Sequence, residues 1–287
     1  KGFPEHAEHI LKILHAHNQK DLKIVVLGGG SVGDFAGFFA SVLKRGTDLV
    51  LIPTTWLAAI DSAHGGKNGL NAGGFKNQIG SFYQPQSVYL VRDILLNQPD
   101  ELMLDACGEL FKIALISGGS LWKKVRKHNT FSALELWSFL PLAIRSKYQI
   151  VRQDPLEKRG YRQILNFGHT FGHIIESQLG VTHGRAVGQG LVFATEWSLN
   201  SGFLGPKQYE GIAQCPFYVD FSTQLKSSLK KLSAHKVRAG LQMDKKKSQK
   251  DELIFILPIR PGLCIRHKVK VKQVEKFFEL QKKSGPL

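Results

Sequence analysis

Apolar and polar positions follow two rhythms along the chain, and the change between them marks a division. Ala7, Ile10, Leu11 and Leu14 recur at helical spacing and predict an amphipathic helix over 4–17. Leu22–Leu27 reads as a strand apolar enough to be buried on both faces. A glycine turn follows, then a helical pattern to about Lys44. Asp48–Ile52 predicts a second strand and Ser87–Val91 a third. The stretch between them, 61–85, is rich in glycine and shows little periodicity. It predicts a long irregular segment, which inside a compact domain is usually functional. From about residue 93 the spacing becomes helical, with Pro99 suited to a first turn. Helices are predicted over 131–152, 186–203 and 271–282, with a basic helix or helix pair over 223–240. A late hairpin is predicted from Leu253–Leu257 and Leu263–Arg266. The expected architecture is an α/β N-terminal nucleotide-binding domain, 1–92, followed by a mainly α-helical C-terminal metal-binding domain, 93–287.

Composition narrows the class of protein. The 287 residues are 43% hydrophobic and 22% charged, as in globular proteins, with no apolar run of membrane-spanning length and no leader pattern at Lys1-Gly-Phe-Pro. Cys107, Cys215 and Cys264 are far apart and form no Cys-x-x-Cys, so a reduced, cytoplasmic protein is expected. The net charge of +16 suits nucleic acid, an anionic membrane or small anions. Part of the excess lies in Lys226, Lys230, Lys231 and the run Lys245–Lys247, and such runs are usually solvated faces. No nucleic-acid module is visible. A basic cleft for phosphorylated ligands is the expected use, without nucleic-acid or membrane partners.

Three stretches carry candidate chemistry. Gly28-Gly-Gly-Ser-Val-Gly-Asp34 follows a strand and opens a helix, an arrangement that admits a pyrophosphate to free helix N–H groups. Its spacing differs from the common dinucleotide pattern, and a tight structural turn explains it almost as well. Pro53-Thr54-Thr55 closes the second strand at the usual ligand side of an open sheet. Asn166-Phe-Gly-His169-Thr-Phe-Gly-His173 puts two histidines four apart on a helix, beside Gly168 and Gly172, which leave that face shallow enough for a ligand. His183 follows after a short turn. Zinc needs about three protein ligands; these residues can supply two, and the third must come from elsewhere. Asp105, Glu109 and Lys112 share a face of an otherwise apolar helix, and a buried Glu there needs a partner. Glu109 is the candidate for the missing ligand; a solvated face is the alternative.

Together these residues resemble the 3-dehydroquinate synthase family of sugar-phosphate cyclases. The matching motifs are Gly28-Gly-Gly-x-x-Gly-Asp34, Pro53-Thr-Thr-x-Leu-Ala, Asp61-Ser-x-x-Gly-Gly-Lys67, Lys76-Asn77-x-Ile-Gly-x-Phe-Tyr-Gln-Pro85, Glu109-x-x-Lys112 and Leu165-Asn-x-Gly-His-Thr-x-Gly-His173. They occur in the family's order over about 20–190. The resemblance implies conversion of 3-deoxy-D-arabino-heptulosonate 7-phosphate to 3-dehydroquinate and phosphate in the shikimate pathway, a lyase reaction. It proceeds by transient NAD oxidation, phosphate elimination and aldol cyclisation, with zinc or cobalt as the metal. Glu109, His169 and His183 are then the metal ligands. Lys67, Asn77, Arg45 and Lys245 or Lys246 bind phosphate or the acid end. Lys112, Lys147, Arg162, Asn166 and His173 contact carboxylate and hydroxyls. Gly29, Gly30, Asp34, Thr54, Thr55, Asp61 and Lys76 hold NAD. A homodimer is the assembly implied.

The chain departs from the family pattern in four places. It begins late, with Lys1 matching at best the end of a segment that completes the nucleotide domain. Arg185 stands where the family usually has Glu, reversing a charge beside His183, which is expected to weaken the support of that ligand. Glu157 fits the loop before Arg162 only with about one extra residue. Trp56, His64 and Asn68 replace smaller or different residues. The alternatives are another sugar-phosphate cyclase, a polyol dehydrogenase that accumulates NADH, and a non-catalytic relative.

Overall fold

The computed structural model describes residues 3–16, 22–73, 75–128, 131–244 and 252–285. The chain forms two compact units that do not divide at residue 92. The first comprises 1–103 and 133–158, the second 104–132 and 159–287. The segment 133–158 reads as helix by period, so spacing alone assigned it to the later domain.

The first unit opens with α1 (Phe3–Ala16), β1 (Lys23–Gly28), α2 (Gly30–Val42) and β2 (Asp48–Pro53). It continues through α3 (Trp56–Ile60), β3 (Lys67–Ala72), β4 (Phe75–Phe82), β5 (Ser87–Val88) and α4 (Arg92–Leu96). Strands β1, β2 and β5 form a parallel sheet in that order, with Val25 opposite Val50. Val26, Ala40, Leu49, Leu51 and Ala63 make its core, joined by Ile24 and Ala36. The expectation that β1 is buried on both faces fails: Val25 and Leu27 are 60% and 61% exposed. The strand lies at the sheet's edge, and α2 packs on its Ile24 and Val26 face alone. The stretch 61–85 is also more regular than expected. β3 and β4 pair antiparallel with an irregularity at Leu70–Ala72. Glycine and asparagine at hairpin positions hide the alternation that would reveal the strands.

Helix α5 (Asp100–Ser117) starts in the first unit and runs into the second, and α6 (Gly119–Val125) follows it. α7 (Ala133–Gln153) belongs to the first unit. The second unit continues with α8 (His169–Leu179), α9 (His183–Asn200), α10 (Pro206–Ala213), α11 (Pro216–Lys231) and α12 (Ala234–Asp244). The hairpin β6 (Glu252–Arg260) and β7 (Leu263–Lys270) and the closing α13 (Val271–Ser284) complete it. The basic stretch 223–240 is thus parts of two helices. α9 is the axis of this unit, buried continuously from Ala186 to Ser198. Phe193 on α9 stacks on Phe171 of α8 at 3.8 Å between ring centres. Among the described residues no helix is long and apolar enough to cross a membrane.

α5, α8 and α9 meet through glycines. A Cβ on Gly172 would lie 2.8 Å from the Ala186 carbonyl oxygen, and one on Gly168 2.8 Å from that of Val187. A Cβ on Gly184 would overlap the Asp105 carbonyl oxygen, and one on Gly108 that of Gly184. Gly168 and Gly172 were expected to make room for a ligand. They instead let two helices approach backbone to backbone, and that packing sets the geometry of the histidines.

Candidate functional site

In the second unit, His169 and His183 are the first residues of α8 and α9, and both face Glu109 on α5. Glu109 Oε1 lies 3.5 Å from His169 Nε2 and 3.4 Å from His183 Nε2. Its Oε2 lies 2.5 Å from Lys112 Nζ, one turn on. Glu109 is fully buried and Lys112 is 2% exposed. The carboxylate oxygens make these charge contacts but accept no well-formed hydrogen bond. Three ligand atoms thus converge on one point, the donor set of a divalent metal. A buried carboxylate between two imidazoles, with one lysine as its partner, fits such an ion.

The electrostatics agree. Burial pushes the Glu109 carboxyl up, but the Lys112 ammonium and His183 outweigh it and hold it below the usual carboxylate range. Burial, Lys112 and the neighbouring histidines push His169 well below its ordinary value. His183 is opposed by burial, but Glu109 and Glu176 bond to its ring and raise it to about 10. Without an ion, one neutral and one charged imidazole flank the carboxylate. A divalent cation held by Glu109, His169 and His183 would supply that positive charge in place of the proton.

Two carboxylates absent from the sequence-level site complete this arrangement. Glu176 Oε2 is 3.0 Å from His183 Nδ1. Asp105 Oδ1 accepts the backbone N–H groups of Gly184 at 2.8 Å and Arg185 at 3.2 Å. Glu176 lies on α8 three residues beyond His173 and seven beyond His169. That spacing was a usable signal for a shared face. His173 is exposed, its ring centre 5.2 Å from that of His169. Arg162 is buried, 3% exposed, in the 3-10 turn Tyr161–Asn166, while Asn166 is exposed.

In the first unit, a cleft at the carboxyl ends of β1 and β2 is lined by Gly28, Gly29, Gly30, Gly33 and Asp34, with Ser62 and Asn68 opposite. The N-cap of α2, Gly29, has no capping side chain, so N–H groups of the first turn face an incoming anion. Thr54 donates its backbone N–H to Gly28 O at 3.0 Å. Thr55 caps α3, accepting the Ala58 N–H at 3.2 Å, which leaves its hydroxyl proton to donate elsewhere. Gly33, Ser62 and Asn68 were not among the expected contacts.

A second group in this unit gathers lysines on carboxylates. Lys147 on α7, 4% exposed, donates to the Asp61 carbonyl and to Asp61 Oδ1 at 2.6 Å. Lys67 pairs with Glu157, which places that residue firmly in the group. His64 Nε2 donates to Ala59 O at 2.9 Å; burial and the Lys147 ammonium push it down to about 4. Lys76 and Asn77 are exposed on β4, and Asn77 holds a left-handed φ of 52°. Arg45 lies just beyond the far end of α2, about 20 Å along the helix from the glycine turn. It does not line the glycine-turn cleft. Lys245 and Lys246 lie outside the described residues.

A glycine turn built for an anion and a buried Glu–His–His cradle define an enzyme of the metal- and nucleotide-using kind. Residues 1–105 match the 3-dehydroquinate synthase N-terminal family and 106–247 the 3-dehydroquinate synthase C-terminal family. The chain belongs to the 3-dehydroquinate synthase family. It is 36% identical over 265 residues to the 3-dehydroquinate synthase of Alkaliphilus oremlandii, covering 90% of this chain and 71% of that one. With the 3-dehydroquinate synthase of Leptospira interrogans it shares 40% over 275 residues, 90% and 73% of the two chains. Its fold is similar to that of a 2-deoxy-scyllo-inosose synthase solved with carbaglucose-6-phosphate, NAD+ and Co2+. The TM-score is 0.82 at 24% identity, covering 97% of this chain and 79% of that one.

Proposed function

We propose that the chain converts 3-deoxy-D-arabino-heptulosonate 7-phosphate to 3-dehydroquinate and phosphate, in the shikimate route to aromatic amino acids. The observation that carries this is the buried Glu109, facing His169 and His183 and paired with Lys112, in a chain of this family. NAD supplies a reversible hydride acceptor, and zinc or cobalt a Lewis acid that acidifies a substrate hydroxyl.

The chain's own residues have distinct parts. The open first turn of α2 at Gly29 and Gly30 receives the pyrophosphate of NAD. Asp34, Thr54, Thr55, Asp61 and Lys76 complete its contacts. Glu109, His169 and His183 hold the metal. Lys67, held by Glu157, is a positioned ammonium for the substrate phosphate, with Asn77, Arg45 and Lys245 or Lys246 as further anion contacts. Lys147, fixed on Asp61, and Arg162, Asn166 and Lys112 contact the carboxylate and hydroxyls. His173, exposed beside the ligand pair, moves a proton near neutral pH. We place the protein in the cytoplasm, in keeping with its free cysteines, and expect a homodimer without nucleic-acid partners.

The test is phosphate release from the heptulosonate phosphate with zinc, with and without NAD, while NADH is followed in the same cuvette. Phosphate that depends on NAD, with no lasting NADH, is expected. Accumulating NADH would identify a dehydrogenase. Absence of phosphate from protein that binds both zinc and NAD would overturn the substrate.

A further inference from the structure

We infer that Asp105 and Glu176 are positioning residues that aim His183 at the metal point, an inference that rests on reading Glu109, His169 and His183 as a metal centre. His183 opens α9, and its neighbour in the N-cap position, Thr182, supplies no side-chain cap. A helix start left so would fray, carrying the imidazole with it. Asp105 supplies the missing cap from another helix. Its Oδ1 takes the N–H groups of Gly184 and Arg185, and at 8% exposure it is shielded from competing water. That fixes the backbone. Glu176 fixes the ring, since its Oε2 lies 3.0 Å from Nδ1.

A carboxylate at Nδ1 keeps a proton on that nitrogen, so Nε2, which faces Glu109, is the nitrogen left to bind a metal. The chain returns from α8 to α9 through Gly180, whose φ of 68° makes the turn that brings Glu176 beside His183. Position 185, where sequence reasoning looked for this support, offers its backbone N–H to Asp105. The ring is held by the preceding helix. Reversal of charge at Arg185 therefore leaves the orienting bond to His183 intact.

Cobalt is the probe, because its visible absorption reports ligand geometry as well as occupancy. The full chain is stripped of metal and titrated with Co2+ against a competing chelator. Glu176→Ala is expected to weaken binding about 10- to 100-fold and to shift the absorption band. Glu176→Gln recovers part of the loss, because its amide oxygen still accepts from Nδ1. Asp105→Ala weakens binding similarly and Asp105→Asn restores it; if Asp105→Ala does not fold, Asp105→Asn and the Glu176 variants carry the test. In a His183→Ala background, Glu176→Ala should cause no further loss. Wild-type affinity and spectrum in Glu176→Ala would overturn the inference, as would an equal loss in the His183→Ala background. If His183→Ala itself binds cobalt as the wild type does, the metal-centre reading fails and this inference with it.

Discussion

The glycine contacts between α5 and α9 make a prediction that can be worked to a magnitude. A Cβ on Gly184 would lie 2.7 Å from the Asp105 carbonyl carbon, in addition to overlapping its oxygen. Non-bonded carbons sit comfortably at about 3.5–4.0 Å, so in Gly184→Ala the start of α9 must retreat by roughly 1 Å. Backbone is the obstacle, and it cannot rotate away as a side chain can. The 2.8 Å bond from Gly184 N to Asp105 Oδ1 then stretches beyond hydrogen-bonding range. Strain in a packed interior costs about 1–3 kcal/mol, and the unpaired buried groups about 1–3 kcal/mol more. A loss of roughly 2–6 kcal/mol is expected, read from urea unfolding of the metal-free protein. His183 moves with the helix, so metal affinity should fall about tenfold or more. Gly211→Ala is the matched control. It lies inside α10, where a Cβ would meet nothing within 4 Å, and should stabilise by about 0.5–1 kcal/mol without touching metal affinity. An unchanged unfolding midpoint in Gly184→Ala would refute the close-packing argument.

Two further outcomes follow from buried charge. Glu109→Gln should abolish metal binding and cost about 3–5 kcal/mol in urea melts, because Lys112 loses the carboxylate 2.5 Å away; adding Lys112→Met should recover much of that stability but none of the metal, and a single variant as stable as wild type would sink the pairing. His64, ordinary in the unfolded chain at 6.5 and pushed to about 4 when folded, is neutral in the native state while the unfolded state binds a proton. Its contribution is therefore complete above pH 6.5 and declines as pH falls towards 4, by about 3 kcal/mol in all. His64→Gln should flatten stability against pH in that window, and parallel curves for the two proteins would show that His64 is not the group responsible.

The strand, glycine turn and helix at the start of the first unit were legible because each has its own period and the turn residues punctuate them. So were the Glu109, His169 and His183 set, since a charged residue in an apolar helix and histidines beside glycines are unusual enough to stand out. Other features had no such mark. The β3–β4 hairpin lacks alternation because Gly69 and Gly80 occupy strand positions where side chains would show it. Gly168 and Gly172 looked like room for a ligand, since sequence does not say which neighbour uses the space. Asp105 fits a solvated face as well as a buried one, and Glu176 was not singled out; only the fold shows that α9 begins against one and that the other meets the His183 ring. The placement of α7 in the first unit depends on tertiary packing that periodicity does not encode.

That placement has a consequence for how the protein is made. The first unit is interrupted: residues 104–132 leave it and α7 returns to it. During synthesis, a chain emerging as far as residue 103 still lacks α7 and the lysine that binds Asp61, so the first unit cannot close until residue 158 is made. At about 5–20 residues per second that is a delay of several seconds. Neither unit is made in one uninterrupted stretch, and a gene cut at the apparent boundary of period would leave the first unit without residues 93–103 and α7, both held by the second fragment.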